Sequence, residues 1–185
     1  MFVRAGGINL KCALVIGGSG MLTDVSILLA ETGYLVYVVG RSTEKMNNLL
    51  KKSNDNKNLI PVFIDYSNEQ SLNKKIDEII QENNTIHLIV AWVHSYAEHA
   101  IQSIINGIPS TSESSRFVHV LGSRSNLDKI KTELTIPNHC FYSQVKLGYM
   151  KQDDEKRWLT HEEICNGIIK AINNKKNVHV VGMLS

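Results

Sequence analysis

The chain has 185 residues, with 20 Lys and Arg against 18 Asp and Glu, and its formal net charge of +2 excludes an acidic tail or a nucleic-acid binder that relies on charge. Its 43% hydrophobic and 21% charged residues are typical of a folded globular protein, and its length suits one domain with a sizeable core. The longest apolar run, residues 88–93, is far below the roughly 20 residues that span a bilayer, so we expect no membrane protein.

Short β-rich runs alternate with amphipathic segments along the chain. Near-continuous apolar strands separated by helices are typical of a parallel sheet covered on both faces. We therefore predict a single α/β domain over residues 1–185, with a doubly wound parallel sheet of about seven strands. Residues 1–10 precede the first strand, either as a disordered extension or as an edge element. The clearest predicted strands are residues 12–16, 35–39, 60–65, 86–92, 117–121 and 178–181.

Helical segments lie between these strands. Residues 23–32 are predicted to form a helix, with Gly33 in the place of a C-terminal cap. Capping-box patterns at Ser67 and Thr160 predict helices that begin at the residue after each of them. A short helix is expected at residues 126–134, after the fifth strand.

The cysteines and the N-terminus indicate a protein without disulfide bonds or a leader. Residues 1–7 show no sustained apolar segment, so they do not resemble a secretory signal, and we expect a cytoplasmic protein. Cys12, Cys140 and Cys165 are an odd number, lie far apart and lack CxxC spacing. We expect three buried, small hydrophobic side chains and no metal site.

A glycine-rich turn follows the first predicted strand and opens a helix. In open α/β sheets, ligands bind beyond the carboxyl ends of the strands. Glycines in such a turn let backbone N–H groups approach a pyrophosphate at the helix N-terminus, although a plain strand-to-helix turn is the alternative. The predicted cofactor-binding residues here are Gly17, Gly18, Ser19, Gly20, Met21 and Leu22.

Arg41 and Ser42 follow the second strand, where an NAD-selective site usually presents an acidic residue to the ribose. A guanidinium beside a hydroxyl suits a 2′-phosphate instead, so the pair favours NADP (NADPH) as the cofactor. The alternative is that Ser42 caps the next helix and that Arg41 is a solvated surface charge.

Further candidate residues follow the other strands at the same edge of the sheet. His94, after the fourth strand, is either a donor to a substrate or cofactor oxygen or an ordinary surface histidine. Ser123 exposes a hydroxyl after the fifth strand. The remaining predicted cofactor-binding residues are Asp65, Tyr66, Ala91, Trp92 and Val93.

An ordered set of residues resembles the short-chain dehydrogenase/reductase superfamily over essentially the whole chain, namely Gly17 to Gly20, Arg41, Asp65, Ser123, Tyr142 and Lys146. The resemblance implies a Rossmann-type NAD(P)-binding domain with helices on both faces of the sheet. It also implies that Ser123 and Tyr142 hold the substrate oxygen and that Tyr142 transfers the proton. Lys146 would lower the pKa of the tyrosine and hold the nicotinamide ribose. Thr23 stands where the family has its third glycine.

The spacing of Tyr142 and Lys146 has a second interpretation. On a helix, two residues four apart lie about 6 Å apart along the axis, whereas on a strand they lie about 13 Å apart. Apolar and polar residues alternate over residues 141–149, with Gly148 among them, and this pattern predicts a strand. On a strand, the two residues would match the family motif by accident.

Three functions are compatible with these residues. The favoured one is an NADP(H)-dependent oxidoreductase that transfers a hydride between the nicotinamide and a small carbonyl or similar acceptor, oriented by Ser123, His94 or Tyr142. The alternative is a non-catalytic NADP(H)-binding sensor or regulatory protein on the same fold, and a third is a flavin or biliverdin-type reductase. We expect a small-molecule substrate and no nucleic-acid or membrane partner, and a homo-oligomer stays open.

Overall fold

The structure, a computed structural model, describes residues 10–54, 56–110, 115–152, 155–174 and 176–184. The strands in this part of the chain are β1 (Lys11–Ile16), β2 (Tyr34–Gly40), β3 (Leu59–Phe63), β4 (Leu88–Trp92), β5 (Ser115–Leu121), β6 (Cys140–Leu147), β7 (Tyr149–Gln152), β8 (Glu155–Trp158) and β9 (Val178–Val181). The α-helices are α1 (Thr23–Glu31), α2 (Thr43–Lys52), α3 (Glu69–Asn83), α4 (His99–Asn106), α5 (Leu127–Glu133) and α6 (His161–Asn173), and a short 3-10 helix spans Ser95–Ala97.

Seven strands form one parallel sheet in the order β3-β2-β1-β4-β5-β6-β9. The prediction of a doubly wound, Rossmann-type α/β sheet of about seven strands is confirmed. The strand order reverses between β1 and β4, and parallel strands bring all their carboxyl ends to one edge. A ligand therefore has its natural place in the crevice beyond these two strands.

Helices cover the sheet on both faces. Side chains such as Val15 and Val118 pack against α1, α2 and α6, whereas Ile16 and Phe117 on the opposite face pack against α3 and α4. Each fully buried side chain of this kind contributes about 1.5–3 kcal/mol. The three cysteines are free and buried, as predicted, and burial raises the pKa of Cys12 to about 12.

The helix caps follow the sequence patterns with one exception. Thr160 forms the predicted capping box at the start of α6 with Glu163. The prediction that Ser67 caps α3 is wrong, because Asn68 Oδ1 accepts the hydrogen bond from Ser71 N at 3.0 Å. Ser67 donates to a carboxylate two residues earlier instead. The next residue thus takes the cap, and α3 begins at Glu69.

A two-stranded antiparallel hairpin, β7 and β8, stands outside the main sheet and was not predicted. The strand expected at residues 141–149 is two pieces, because β6 ends at Leu147 and β7 begins after Gly148. A Cβ at Gly148 would collide with the backbone of Met183, so the chain passes too closely there for any other residue. The sequence pattern gives no sign of this long-range contact.

Two further expectations concern the N-terminal residues and a membrane-spanning segment. The predicted extension at residues 1–10 lies, apart from Leu10, outside the described residues. Within the described ranges, no helix has the length and apolar character needed to cross a membrane.

Candidate cofactor and substrate site

The turn between β1 and α1 is shaped by close backbone approaches. Gly17 has a φ of +77°, and a Cβ there would lie 2.8 Å from the carbonyl oxygen of Trp92 at the end of β4. A Cβ at Gly18 would lie 2.7 Å from Ser26 Oγ. Neither position accepts a larger residue without a shift of its neighbours. By contrast, a Cβ at Gly20 would face open space, with the oxygen of Gly17 nearest at 3.6 Å.

Helix α1 begins without a side-chain cap. Its N-cap is Leu22, whose side chain is buried in the core. Thr23 N donates to Gly20 O at 3.1 Å, but within the described residues the N–H groups of Met21 and Leu22 have no backbone acceptor. Free N–H groups at the positive end of a helix dipole form an anion-binding site. The turn therefore offers donors to a phosphate group.

Arg41 and Asp65, predicted as separate cofactor contacts, form an ion pair with 2.9 Å between Nη1 and Oδ2. The Arg41 side chain stays 68% exposed. Asp65 also accepts hydrogen bonds from the Oγ and N of Ser67, and these bonds are the main cause of its lowered pKa. Ser42 Oγ accepts from Lys45 N at 3.2 Å, so Ser42 caps α2, as the alternative interpretation stated.

An aromatic cluster lies beyond the carboxyl ends of β3 and β4. The rings of His94 and Tyr96 stack with centroids 5.6 Å apart and 13° between their planes. Tyr66 is hydrogen-bonded to the Tyr96 side chain and to the backbone of His94, and burial raises the pKa of Tyr66 to about 12. Tyr96 was missed by sequence analysis, because it lies on a 3-10 helix beyond the strand end.

The other predicted residues of this edge differ in how far they reach solvent. Ala91 is fully buried in the core, and Trp92 and Val93 are half-buried at the end of β4. Ser123 is half-buried in the turn after β5, and His94 is exposed. Trp92 is the last residue of β4, and its carbonyl oxygen lies against the glycine turn at Gly17.

Tyr142 and Lys146 both lie on β6, which confirms the predicted strand. The phenolic oxygen of Tyr142 contacts His119 Nδ1 at 2.7 Å, whereas Lys146 Nζ donates to the carbonyl oxygen of Ser125 at 2.8 Å. The two side chains have different partners, and their strand spacing keeps them about 13 Å apart. The tyrosine–lysine pair that the family resemblance implies is therefore not assembled in this chain.

A cavity of about 380 Å³ opens between α4, α5 and the carboxyl ends of β4 and β5. His119 lines it from β5 and was missed by sequence analysis. A single signal existed, since a histidine between Val118 and Val120 interrupts an apolar buried strand. No group of three or more His, Cys, Asp or Glu residues suited to a metal ion occurs in the described part of the chain.

A family model described as short chain dehydrogenase matches residues 11–103 of the sequence. No curated protein matches the chain. The matched segment contains the glycine turn, the Arg41–Asp65 pair and His94.

Solved structures of dehydrogenases and reductases share the fold at low sequence identity. Citronellol catabolism dehydrogenase from Pseudomonas aeruginosa PAO1 is 16% identical, with a TM-score of 0.64, over 98% of this chain and 97% of that chain. A Pseudomonas aeruginosa RhlG/NADP active-site complex is 13% identical, with a TM-score of 0.65, over 93% and 94%. A variant of actinorhodin polyketide ketoreductase with NADPH is 10% identical, with a TM-score of 0.70, over 94% and 96%.

Proposed function

The chain belongs to the short chain dehydrogenase family, and on this premise we propose that it is an NADP(H)-dependent oxidoreductase. It transfers a hydride between the nicotinamide and a small carbonyl or similar acceptor. The observation that carries the proposal is the glycine turn with free N–H groups beside an exposed arginine at the end of β2. Two of the structural neighbours were determined with NADP or NADPH, which agrees with this cofactor.

The residues of the glycine turn fit a dinucleotide. The missing side chains at Gly17 and Gly18 let the backbone run close to β4 and α1, and the open space at Gly20 leaves room for a phosphate group. The N–H groups of Met21 and Leu22 donate to that group. When bound, the nicotinamide of the cofactor supplies or accepts the hydride.

Arg41 provides the preference for the phosphorylated cofactor. Its guanidinium carries five N–H donors, and the contact with Asp65 uses one of its terminal nitrogens. The remaining donors bind a 2′-phosphate, and Asp65 keeps the side chain in place. No acidic residue stands at positions 40–43 to bind the free hydroxyls of an NAD ribose.

Ser123 and His94 orient the acceptor in this proposal. Both follow central strands at the edge where the cofactor lies, and both reach solvent. Their side chains donate hydrogen bonds to an acceptor oxygen, in place of the tyrosine–lysine pair that β6 keeps apart.

The substitution Arg41→Ala tests the cofactor assignment. We expect the NADPH dissociation constant to rise at least about tenfold, because charge-assisted hydrogen bonds to the 2′-phosphate are lost, while the NADH constant stays within about twofold. Both constants are measured by quenching of tryptophan fluorescence, with Trp92→Phe to assign the signal. Lys51→Ala, which removes an exposed positive charge from the last turn of α2, is the matched control and leaves both constants unchanged.

Three other outcomes would contradict the proposal in different ways. An equal rise of the NADPH and NADH dissociation constants in Arg41→Ala would show that Arg41 does not select the cofactor. Tight NADPH binding without oxidation by any of a broad panel of carbonyl, quinone and flavin acceptors would favour the non-catalytic sensor. Failure of the wild-type chain to bind either nucleotide would overturn the oxidoreductase assignment as a whole.

A further inference from the structure

The cavity between α4 and α5 contains a buried histidine that the proposed cofactor site does not use. His119 is 5% exposed and lines the cavity from β5. Its Nδ1 contacts the hydroxyl of Tyr142 at 2.7 Å, and the two rings meet edge to face. The two side chains lie on the neighbouring strands β5 and β6, and His119 is the one that reaches the cavity.

The second ring nitrogen of His119 is available to a ligand. Among the described residues, Nε2 has no hydrogen-bond partner. The buried polar atoms that lack a partner in the same part of the chain belong to Thr85, Arg116 and His179. Nε2 of His119 is not one of them, so it is reached from the cavity.

The hydrogen-bond network places a proton on Nε2. The side chain of Gln144 donates to the hydroxyl of Tyr142, which lowers the pKa of Tyr142 against the larger, raising effect of burial. The side-chain amide of Gln144 also donates a hydrogen bond, from its own Nε2 to the carbonyl oxygen of Leu127 at 2.9 Å. The proton of this buried hydroxyl needs an acceptor, and among the described residues that acceptor is Nδ1 of His119, so Tyr142 donates to it. A neutral imidazole then carries its proton on Nε2.

Burial keeps this imidazole neutral. His119 has a pKa lowered to about 4 because burial disfavours the charged ring. At neutral pH it is therefore a donor without charge. Such a group suits an uncharged acceptor oxygen rather than a carboxylate or a phosphate.

The cavity walls complete the description of the ligand. Ile101, Ile130 and Leu134 supply an apolar lining, and Glu98 and Glu133 add negative charge at exposed positions. The carboxylates disfavour an anionic ligand, and the volume of about 380 Å³ fits a small molecule. A neutral apolar carbonyl compound matches the walls and the donor together.

We propose that the cavity binds a small, uncharged, apolar carbonyl compound, whose oxygen accepts a hydrogen bond from Nε2–H of His119, with Tyr142 as the residue that sets the tautomer. The identification of this ligand with the hydride acceptor rests on the proposed function. The binding of the ligand in the cavity is independent of that function. His119 is a binding group that Tyr142 positions, and its hydrogen bond adds to those that the proposed function assigns to Ser123 and His94.

Paired probes of nearly equal shape test the hydrogen bond. Acetophenone carries a carbonyl oxygen and ethylbenzene does not, and both are titrated without nucleotide while the Trp92 indole resonance is followed by NMR. We expect wild-type protein to bind acetophenone more tightly than ethylbenzene. In His119→Phe, we expect the dissociation constant of acetophenone to rise about tenfold, because the hydrogen bond from Nε2–H is lost. The dissociation constant of ethylbenzene should stay within about twofold of the wild-type value.

A second variant and a spectroscopic measurement keep the test independent of folding defects. In Tyr142→Phe, the tautomer is no longer fixed, and we expect acetophenone to weaken about threefold with the circular dichroism spectrum unchanged. In wild-type protein, the nitrogen-15 shifts of His119 should identify Nε2 as the protonated nitrogen. A proton on Nδ1, or equal weakening of both probes in His119→Phe, would overturn the proposal.

Two results separate this proposal from the oxidoreductase proposal. Binding of acetophenone that depends on His119, in a chain that binds no nucleotide, supports the cavity proposal and contradicts the proposed enzyme. Tight NADPH binding without any binding of acetophenone or ethylbenzene overturns the cavity proposal and leaves the cofactor assignment intact.

Discussion

His119 and Arg41 show how single residues acquire their roles from neighbours far along the chain. Arg41 was expected at the cofactor edge from its place after β2, but its ion pair with Asp65 depends on the adjacency of β2 and β3. The role that we propose for His119 was not apparent from the sequence, because it depends on the hydroxyl of Tyr142, 23 residues later. The sequence thus predicted the position of the arginine and missed the pairing of the histidine.

The buried imidazole of His119 predicts a pH dependence of stability. Its pKa is about 4 in the folded chain and about 6.5 when unfolded, so the unfolded state binds more protons between these values. The contribution of His119 to the free energy of unfolding is therefore fully present above pH 6.5 and is lost as the pH falls towards 4. At pH 5, the loss from this group is about 2 kcal/mol.

Urea unfolding at pH 7.5 and pH 5 measures this effect. The free energy of unfolding should drop by about 2 kcal/mol less in His119→Phe than in the wild type, because the variant lacks the buried imidazole whose pKa changes on folding. His161→Gln, at an exposed position, is the control and keeps the wild-type drop. An equal drop in all three proteins would contradict the buried, neutral state of His119.

At the scale of elements, local sequence signals predicted most helices and strands. The alternation over residues 141–149 correctly predicted a strand for Tyr142 and Lys146, against the helix that the family motif implies. It failed at Gly148, where the strand breaks because the chain meets Met183. Local patterns describe a strand's two faces, but the point where it ends is decided by distant backbone.

The capping box of α6 gives a test at this scale. Thr160 Oγ1 accepts from Glu163 N at 3.2 Å, and the Glu163 carboxylate accepts from Thr160 N at 2.8 Å. We expect Thr160→Ala to lower the free energy of unfolding by about 1 kcal/mol. Thr43→Ala, at the first residue of α2 and next to the true cap Ser42, should cost less than about 0.5 kcal/mol. Equal losses in urea unfolding would show that the cap is not the cause.

At the scale of the molecule, stability is concentrated in the centre of the sheet. Strands β1 and β4 are covered on both faces and are almost entirely buried, whereas β7, β8 and β9 leave many side chains exposed. Regions with little buried apolar contact open at a lower free energy than the core does. The β7–β8 hairpin and the edge strand β9 are therefore expected to open locally.

Hydrogen exchange under native conditions measures this distribution. Amides of β1, β4 and β5 should exchange slowest, with an opening free energy equal to the global value from urea unfolding, because they are released only on complete unfolding. Amides of β7 and β8 should exchange at least about a hundredfold faster. Comparable protection in the hairpin and in β1 would contradict this description.

Local sequence was enough to predict the alternation of strands and helices, the doubly wound sheet and the glycine turn with Arg41, because these depend on hydrophobic period and on residues adjacent in the chain. Tertiary structure alone decided the Arg41–Asp65 ion pair, the His119–Tyr142 contact, the break at Gly148 and the cavity between α4 and α5. Each of these joins segments that only the packed sheet brings together, and no local pattern records which distant residues will meet.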